Sequence, residues 1–250
     1  MNKYFLSLLT VVLLTVSQIV LAQDWNFRLN PYIWLAGLEG DVATTPGATS
    51  VPIDVSSSEA FESTEASLML YLDAKHGKHG FFADTIYTDV QSNTELVPSV
   101  NLSLQSVSQT SIFSLAYQYE FYRSDDAFVD LMIGGRYWNI DIELNFGGGL
   151  GLLSDSRITN KKSWFDPAMG VKGFKPLGDS GIYLEGGGGL GGFGTGSDMF
   201  YEFTANIGYQ WNSTIGTTIG YRMFDVDYED NEFTYDVRQE GWQIGFRWNF

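Results

Sequence analysis

The sequence has no cysteine in its 250 residues, and it has only two histidines. Without cysteine, an exported protein of this size must be stable without disulfide bonds, which argues against a small secreted disulfide scaffold. Cationic residues are also few, because 14 Lys and Arg stand against 30 Asp and Glu, for a formal net charge of −16. Such acidity argues against nucleic acid as a partner, since phosphate backbones require basic side chains.

Beyond the N-terminus, the sequence has no long apolar run. Residues 1–22 are typical of a secretory signal peptide, in which Lys3 supplies the positive start, Phe5–Leu14 is mostly apolar and Val20-Leu21-Ala22 suits cleavage. We therefore expect one mature domain, residues 23–250. No later stretch is long enough for a transmembrane helix, so any membrane-spanning segments must be strands of a closed barrel, because unpaired backbone groups are too costly in lipid.

Aromatic and aliphatic residues recur at alternate positions along the rest of the chain. At its end, Trp242, Ile244, Phe246, Trp248 and Phe250 share one face of a strand, and polar residues and glycine share the other. The same alternation predicts ten strands, at 25–38, 64–75, 81–90, 103–122, 128–146, 163–174, 181–195, 200–211, 214–228 and 235–250. Residues 40–63, 91–101 and 147–160 are predicted to be loops, with a further short strand open at 51–55.

The connections alternate between longer or more acidic loops and tight turns. With an even strand number, this pattern puts both chain ends on the periplasmic side, and eight or twelve strands remain open. Alternation alone also fits a soluble barrel such as a lipocalin. Two features favour a membrane barrel: the apolar faces end in aromatic residues, and the opposed faces carry charges of both signs among Gly, Ser and Thr. The predicted fold is all-β, a single closed antiparallel transmembrane β-barrel of about ten strands.

Short motifs support this prediction. The terminal strand, which stops on Phe250, resembles the last strand of bacterial outer-membrane barrels, which the barrel assembly machinery recognises. Asn30-Pro31-Tyr32-Ile33-Trp34, Gly37–Asp41, Phe82-Ala83-Asp84 and Trp164-Phe165-Asp166-Pro167 are similar to motifs of small, porin-like outer-membrane β-barrel proteins of Gram-negative bacteria. The resemblance implies export to the outer membrane, contact with outer-membrane lipid and lipopolysaccharide, and a monomer.

The candidates for chemistry are few. His76 and His79 lie in a predicted periplasmic turn, and two histidines alone are an incomplete metal site. Outer-membrane proteases and lipid-modifying barrels use a His paired with an acid or Ser on the outer or membrane-exposed side, and this sequence has none there. We therefore expect no enzymatic activity, no metal and no cofactor. Asp84 and Asp166 are inward carboxylates whose pairing for acid–base chemistry the sequence leaves open.

Acidic residues cluster around the last outer loop. They could bind a hard cation or bridge to lipopolysaccharide through divalent ions, or they could simply form a solvent-exposed acidic rim. The cluster contains Asp225, Asp227, Glu229, Asp230, Glu232 and Asp236. The segment Gly147–Gly151 is predicted to be an outer loop, with folding into the barrel mouth as an alternative.

The inward charges carry the main functional hypotheses. The predicted lumen lining consists of Arg136, Arg222, Arg247, Glu185, Asp130, Asp166 and Lys172. One hypothesis is a narrow passive pore for small solutes or ions, with a constriction lined by Arg136, Arg222, Arg247, Glu185 and Asp130. The alternative is a closed structural or surface-interaction barrel that acts through its acidic outer loops. Bulky inward residues can fill a barrel of this size, whereas inward Gly187, Gly189 and Gly191 leave room for a narrow path.

Overall fold

The computed structural model describes residues 25–43, 51–97, 102–147, 156–230 and 233–250. It contains eleven strands and one short helix in these ranges: β1 (Trp25–Ala43), β2 (Val51–Val55), α1 (Ser57–Glu62), β3 (Thr64–His76), β4 (His79–Val97), β5 (Leu102–Ser124), β6 (Ala127–Gly147), β7 (Ser156–Pro176), β8 (Ile182–Gly192), β9 (Met199–Gln210), β10 (Ile215–Asp230) and β11 (Phe233–Asn249). The predicted signal peptide and most of Gly147–Gly151 lie outside the described residues. Among these residues, no helix is long and apolar enough to cross a membrane.

Ten of the strands form one closed antiparallel barrel, which confirms the predicted fold and strand number. Each barrel strand pairs with its sequence neighbour, and β11 closes the barrel against β1 from Asn249↔Arg28 to Thr234↔Ala43. The end of the barrel that holds Trp25 and Phe250 is called the lower end, and the opposite end is called the upper or outer end. At the lower end, the backbones of Phe27 and Phe250 exchange hydrogen bonds of 2.9 and 3.0 Å. Closure pairs the first barrel strand with the last, so that most backbone groups find partners within the sheet, as strands that span lipid require.

The outer wall is apolar, because the alternating residues of each strand face outward as predicted. The set of exposed large apolar side chains includes Ile33, Phe113, Leu131, Ile133, Phe165, Phe203, Ile207, Ile219, Trp242 and Ile244. Aromatic side chains, among them Tyr119, Phe121, Tyr209, Trp211, Trp248 and Phe250, lie near the lower margin of this band. An exposed apolar band with an aromatic girdle is unfavourable in water and favourable in a bilayer. The barrel is therefore transmembrane.

Several predicted boundaries were wrong. Parts of the predicted loops at 91–101 and 147–160 are strand, because β4 continues to Val97 and β7 begins at Ser156. These extensions make β4 to β7 tall, at 19 to 23 residues, whereas β8 and β9 have 11 and 12. Phe193, which falls within the predicted strand 181–195, lies in the β8–β9 turn with φ of 52° and a half-exposed side chain, because β8 ends at Gly192.

The predicted loop 40–63 contains ordered elements. β1 runs to Ala43, the short strand at 51–55 is β2, and α1 follows with a capping box at its start. In that box, the Ser56 backbone and hydroxyl donate to the Glu59 carboxylate at 2.9 and 2.6 Å, which lowers the pKa of Glu59 below its usual range. β1 pairs with β3 only from Trp25 to Pro31 and with β2 from Leu38 to Val42.

Candidate functional site

The barrel interior is the candidate site, because charged side chains from most strands converge there. In its lower part, the Lys172 ammonium pairs with Asp73, and it also donates to the Tyr71 hydroxyl at 3.2 Å. Arg28 contacts Tyr71 at 3.1 Å and Asp73 at 3.4 Å. These side chains come from β1, β3 and β7, so their contacts tie opposite walls of the barrel together.

Two further groups complete the lower ionic cluster. Glu185 of β8 accepts from Arg247 and lies 3.4 Å from Arg28. On the other side, Lys75 pairs with Asp130 at 2.8 Å and with Glu120 at 3.1 Å. Positive and negative groups thus alternate, and each buried charge has an opposite charge beside it.

A central ionic cluster lies above the lower one. Arg222 reaches Asp84 and Glu202, each at 2.9 Å, and donates to the Tyr32 hydroxyl at 2.8 Å. Tyr32 donates in turn to Asp84 at 2.8 Å, and Arg136 pairs with Glu202 at 2.8 Å. A cavity of about 110 Å³ lies between the two clusters. It is lined by Asn30, Thr204, Asn206, Gln243 and the backbone of Gly186–Gly188, and by the apolar side chains of Phe82, Met132 and Val171.

Above the charges lies an upper aromatic layer that fills the barrel. Its buried members are Trp34, Trp138, Trp164, Phe200, Phe224, Tyr228, Phe233 and Tyr235, with Ile140, Val226 and Val237 between them. Trp138 is fully buried, and its ring lies 5.4 Å from that of Trp164 and 5.2 Å from that of Phe224. Side chains from β1, β6, β7, β9, β10 and β11 therefore meet across the axis.

Asp166 anchors this layer. Its carboxylate accepts from the Trp138 indole at 2.7 Å, the Trp164 indole at 3.2 Å, and the Ser197 backbone and hydroxyl at 2.7 and 2.8 Å. Ser197 belongs to the β8–β9 turn, which the short hairpin places inside the barrel mouth. The fully buried Ser197 holds the turn against β7.

The seven predicted lining residues all lie inside the barrel, but at three levels rather than at one constriction. Arg247, Glu185, Lys172 and Asp130 belong to the lower cluster, Arg136 and Arg222 to the central cluster, and Asp166 to the aromatic layer. Their main partners include Arg28, Asp73, Asp84, Lys75, Glu120 and Glu202, which alternation also places inward. Ser197 was missed, since a turn residue gives no periodic signal.

Asp84 and Asp166 do not form a carboxylate pair, because Asp84 binds Arg222 while Asp166 binds indoles. The histidines lie at the lower rim, where the residues are directly opposite in the β3–β4 hairpin and His79 Nδ1 is 2.5 Å from the Tyr117 hydroxyl. Within the described ranges, no group of three or more potential metal-binding side chains is placed to hold an ion. The outer Asp225 instead pairs with Arg238 at 3.0 Å.

Comparisons with known proteins support the fold. No family model matches the sequence, and no curated protein matches it either. The structure is similar to the outer membrane protease OmpT from Escherichia coli, at a TM-score of 0.61 and 10% identity over 90% of this chain and 97% of that one.

Two further matches are more distant. The transport unit of the autotransporter AIDA-I from E. coli has a TM-score of 0.45 at 8% identity, covering 91% of this chain and 89% of that one. The attachment invasion locus protein Ail of Yersinia pestis has 0.37 at 8% identity, covering 91% and 99%. The chain is an outer-membrane β-barrel protein, as predicted, on the basis of its closed barrel and apolar outer wall.

Proposed function

We propose that this protein is a closed, monomeric outer-membrane barrel that has no enzymatic activity and acts through its acidic outer end. The observation that carries the proposal is the packed interior, in which an aromatic layer lies above two ionic clusters. Trp138, Ile140 and Val226 in that layer have no exposed surface. An axial path for a solute would have to separate these side chains, each of which loses contacts and apolar burial when it moves.

One observation supports the pore hypothesis. The 110 Å³ cavity and a second cavity of about 40 Å³ both lie against β8, where inward Gly187 and Gly189 leave the wall without side chains. A passage along this glycine wall is therefore the second candidate. This passage ends at Phe200, whose ring lies against Gly191. Conduction of ions would therefore require the Phe200 ring to move.

The absence of enzymatic activity is proposed on chemical grounds, although OmpT is a protease. A His-assisted hydrolysis needs an imidazole near a carboxylate or nucleophile in a substrate-accessible position. Both histidines of this sequence lie in the lower turn, away from the outer end. The inward carboxylates engage Arg, Lys or indole groups, which leaves them poorly suited to activate water.

The outer end is the remaining surface for function. Its described carboxylates outnumber its cations, and they comprise Glu39, Asp41, Asp54, Glu59, Glu62, Glu65, Asp89, Asp141, Glu143, Asp198, Asp225, Asp227, Glu229, Asp230 and Asp236. Such a surface attracts divalent cations, which can bridge it to the phosphates of lipopolysaccharide. We propose lipopolysaccharide as its neighbour in the membrane and the assembly machinery as its partner during biogenesis, through the strand that ends at Phe250.

Conductance in planar bilayers tests the closed barrel. We expect the folded wild type to give no unitary steps. Trp138→Ala removes the centre of the aromatic layer and should give small steps, whereas Trp242→Ala removes a lipid-facing Trp of similar size and should stay silent. Gel mobility of unheated samples checks that each variant is folded. Steady ohmic steps from the wild type would refute the closed barrel and favour the passage along the glycine wall.

A further inference from the structure

The barrel wall has a lateral slit between β1 and β3. The β1–β3 ladder stops at Pro31↔Leu70, and β1 pairs again only from Leu38, with β2. Among the described residues, no backbone pairing joins 32–37 of β1 to 64–69 of β3. The other edges of these segments are held, by β11 and by β4 respectively, so the slit lies between two fixed strands.

The β1–β3 ladder ends at Pro31, whose missing N–H faces β11, where the β1–β11 pairing skips Asn30 and Pro31. The path of the chain explains where the slit ends. At the upper end, the chain turns back as β2 and α1 before it enters β3. There Gly37 lies close to the backbone of β2 and α1, since an added Cβ would come within 3.0 Å of Val55 O and 3.3 Å of Ser57 N.

One flexible side chain lies in the slit, which α1 borders where it packs against β1. The Trp34 backbone N–H, which would otherwise pair with β3, points at the Met69 sulfur at 3.3 Å. A thioether is a weak acceptor, so this contact replaces a backbone hydrogen bond poorly. The buried Trp34 indole N–H is also without a hydrogen-bond partner among the described residues. Met69 is thus a removable plug, because methionine adapts readily to other packing arrangements.

Both sides of the slit are apolar. Ile33, Leu35 and Leu68 line its outer lips and are 37% to 49% exposed, and Phe61 of α1 is exposed nearby. Behind the plug, Trp34 opens onto Phe224 of the aromatic layer, with ring centroids 6.2 Å apart. A tilted strand rises roughly 2.5 Å per residue along the membrane normal, so Ile33 and Leu35 lie about 15 and 20 Å above Phe27, in the outer half of the apolar band.

The charged residues around the slit favour cationic ligands over anionic ones. Residues 32–43 and 51–69 contain no Lys or Arg. They contain the carboxylates Glu39, Asp41, Asp54, Glu59, Glu62 and Glu65. An apolar molecule that carries a positive charge can leave its charge among these groups while its apolar part passes the lips, whereas an anionic acyl chain is repelled.

We propose that this slit is a lateral entrance and binding site for an amphiphilic cation, which reaches it from the outer leaflet and displaces Met69. The apolar part of the ligand then contacts Trp34. This proposal is independent of the axial closure proposed above, because the slit opens sideways into lipid and not along the barrel axis. A barrel that conducts ions can still bind the cation at the slit, and a barrel that conducts no ions can still lack this binding site.

Quenching of Trp34 fluorescence tests the entrance. Folded protein in phosphatidylcholine vesicles is titrated with an alkyltrimethylammonium probe brominated on its chain, and separately with a brominated fatty acid of equal length. Subtracting the quenching of Trp34→Phe isolates the contribution of Trp34 from that of the lipid-facing tryptophans. We expect a saturable Trp34 contribution with the cation and a much weaker one with the fatty acid. No Trp34 contribution, or equal contributions from both probes, overturns the proposal.

Two variant pairs refine the test. Met69→Ala should increase the Trp34 quenching by the cation at low probe concentration, while Met132→Ala, which removes an interior methionine on β6, should not. Glu65→Gln should weaken cation binding by up to about fivefold, as expected for one exposed charge. Asp141→Asn, on the outer part of β6, should leave binding unchanged. Equal behaviour within either pair of folded variants contradicts the assigned position of the entrance.

Discussion

Replacing Asp166 with Asn should destabilise the barrel far more than a charge-neutralising change on its surface. The Oδ2 atom of Asp166 accepts hydrogen bonds from the indoles of Trp138 and Trp164. If the Asn amide nitrogen takes that place, both indole N–H groups face a donor. If the Asn is flipped, its amide nitrogen faces the Ser197 backbone N–H instead. Neither orientation satisfies all of the buried donors.

The magnitude follows from the bonds that are lost. In the flipped orientation one bond to a charged acceptor is lost, which costs about 1.5–3 kcal/mol, and the other three bonds are weakened because their acceptor is neutral, for a total of about 3–6 kcal/mol. Neutralising a buried carboxylate returns part of its desolvation cost. We therefore expect the free energy of unfolding to fall by about 2–4 kcal/mol for Asp166→Asn, after both terms are combined.

Denaturant titration in phospholipid vesicles, followed by tryptophan fluorescence, measures this change. Asp141→Asn is the matched control, because Asp141 pairs with Lys161 at 3.6 Å and both side chains are partly exposed. Such a pair contributes less than about 1 kcal/mol. If Asp166→Asn and Asp141→Asn have equal unfolding free energies, the assignment of Asp166 as the anchor of the aromatic layer is wrong.

Three further changes test other parts of the barrel. Gly191→Ala should lower the unfolding free energy by about 1–3 kcal/mol in the same titration, since its Cβ would meet the Phe200 ring at 2.4 Å, whereas Gly173→Ala, with its nearest atom at 3.6 Å, should have little effect. Arg222→Met should cost about 3–5 kcal/mol, because it leaves two buried carboxylates without their shared partner, and a change below about 1 kcal/mol would contradict the central cluster. Deleting Phe250 should reduce the amount of folded barrel in outer-membrane fractions without preventing refolding of the purified chain in detergent; unchanged amounts would argue against recognition of the terminal strand.

The predicted fold succeeded where the signal was repeated along the chain. Ten apolar faces with period two favour a closed antiparallel barrel, in which neighbouring strands pair their backbone groups in lipid, so the outward residues followed from alternation. Boundaries at the outer end failed because strands there leave the membrane, and polar residues then occupy both faces. The helix α1 has a local signal, the Ser56 and Glu59 capping box, which would have predicted it.

The candidate site was predictable only in part. Alternation placed Arg222 and Glu202 inside the barrel, but their contact joins β10 to β9 at a particular height, which depends on the stagger between strands. The hypothesis of a single constriction also depended on that height. Ser197 was out of reach, because its role arises from a hairpin too short to reach the rim.

The sequence by itself determined that this chain forms a barrel of about ten strands, which way most strand residues face and that its interior holds charges of both signs, because these properties depend on alternation within single strands. Only the tertiary structure decided that the charges form separate clusters, that aromatic side chains fill the lumen above them, and that the wall parts between β1 and β3. Each of these depends on the relative heights of strands that are distant in sequence. The alternation of residues along one strand contains no information about that height.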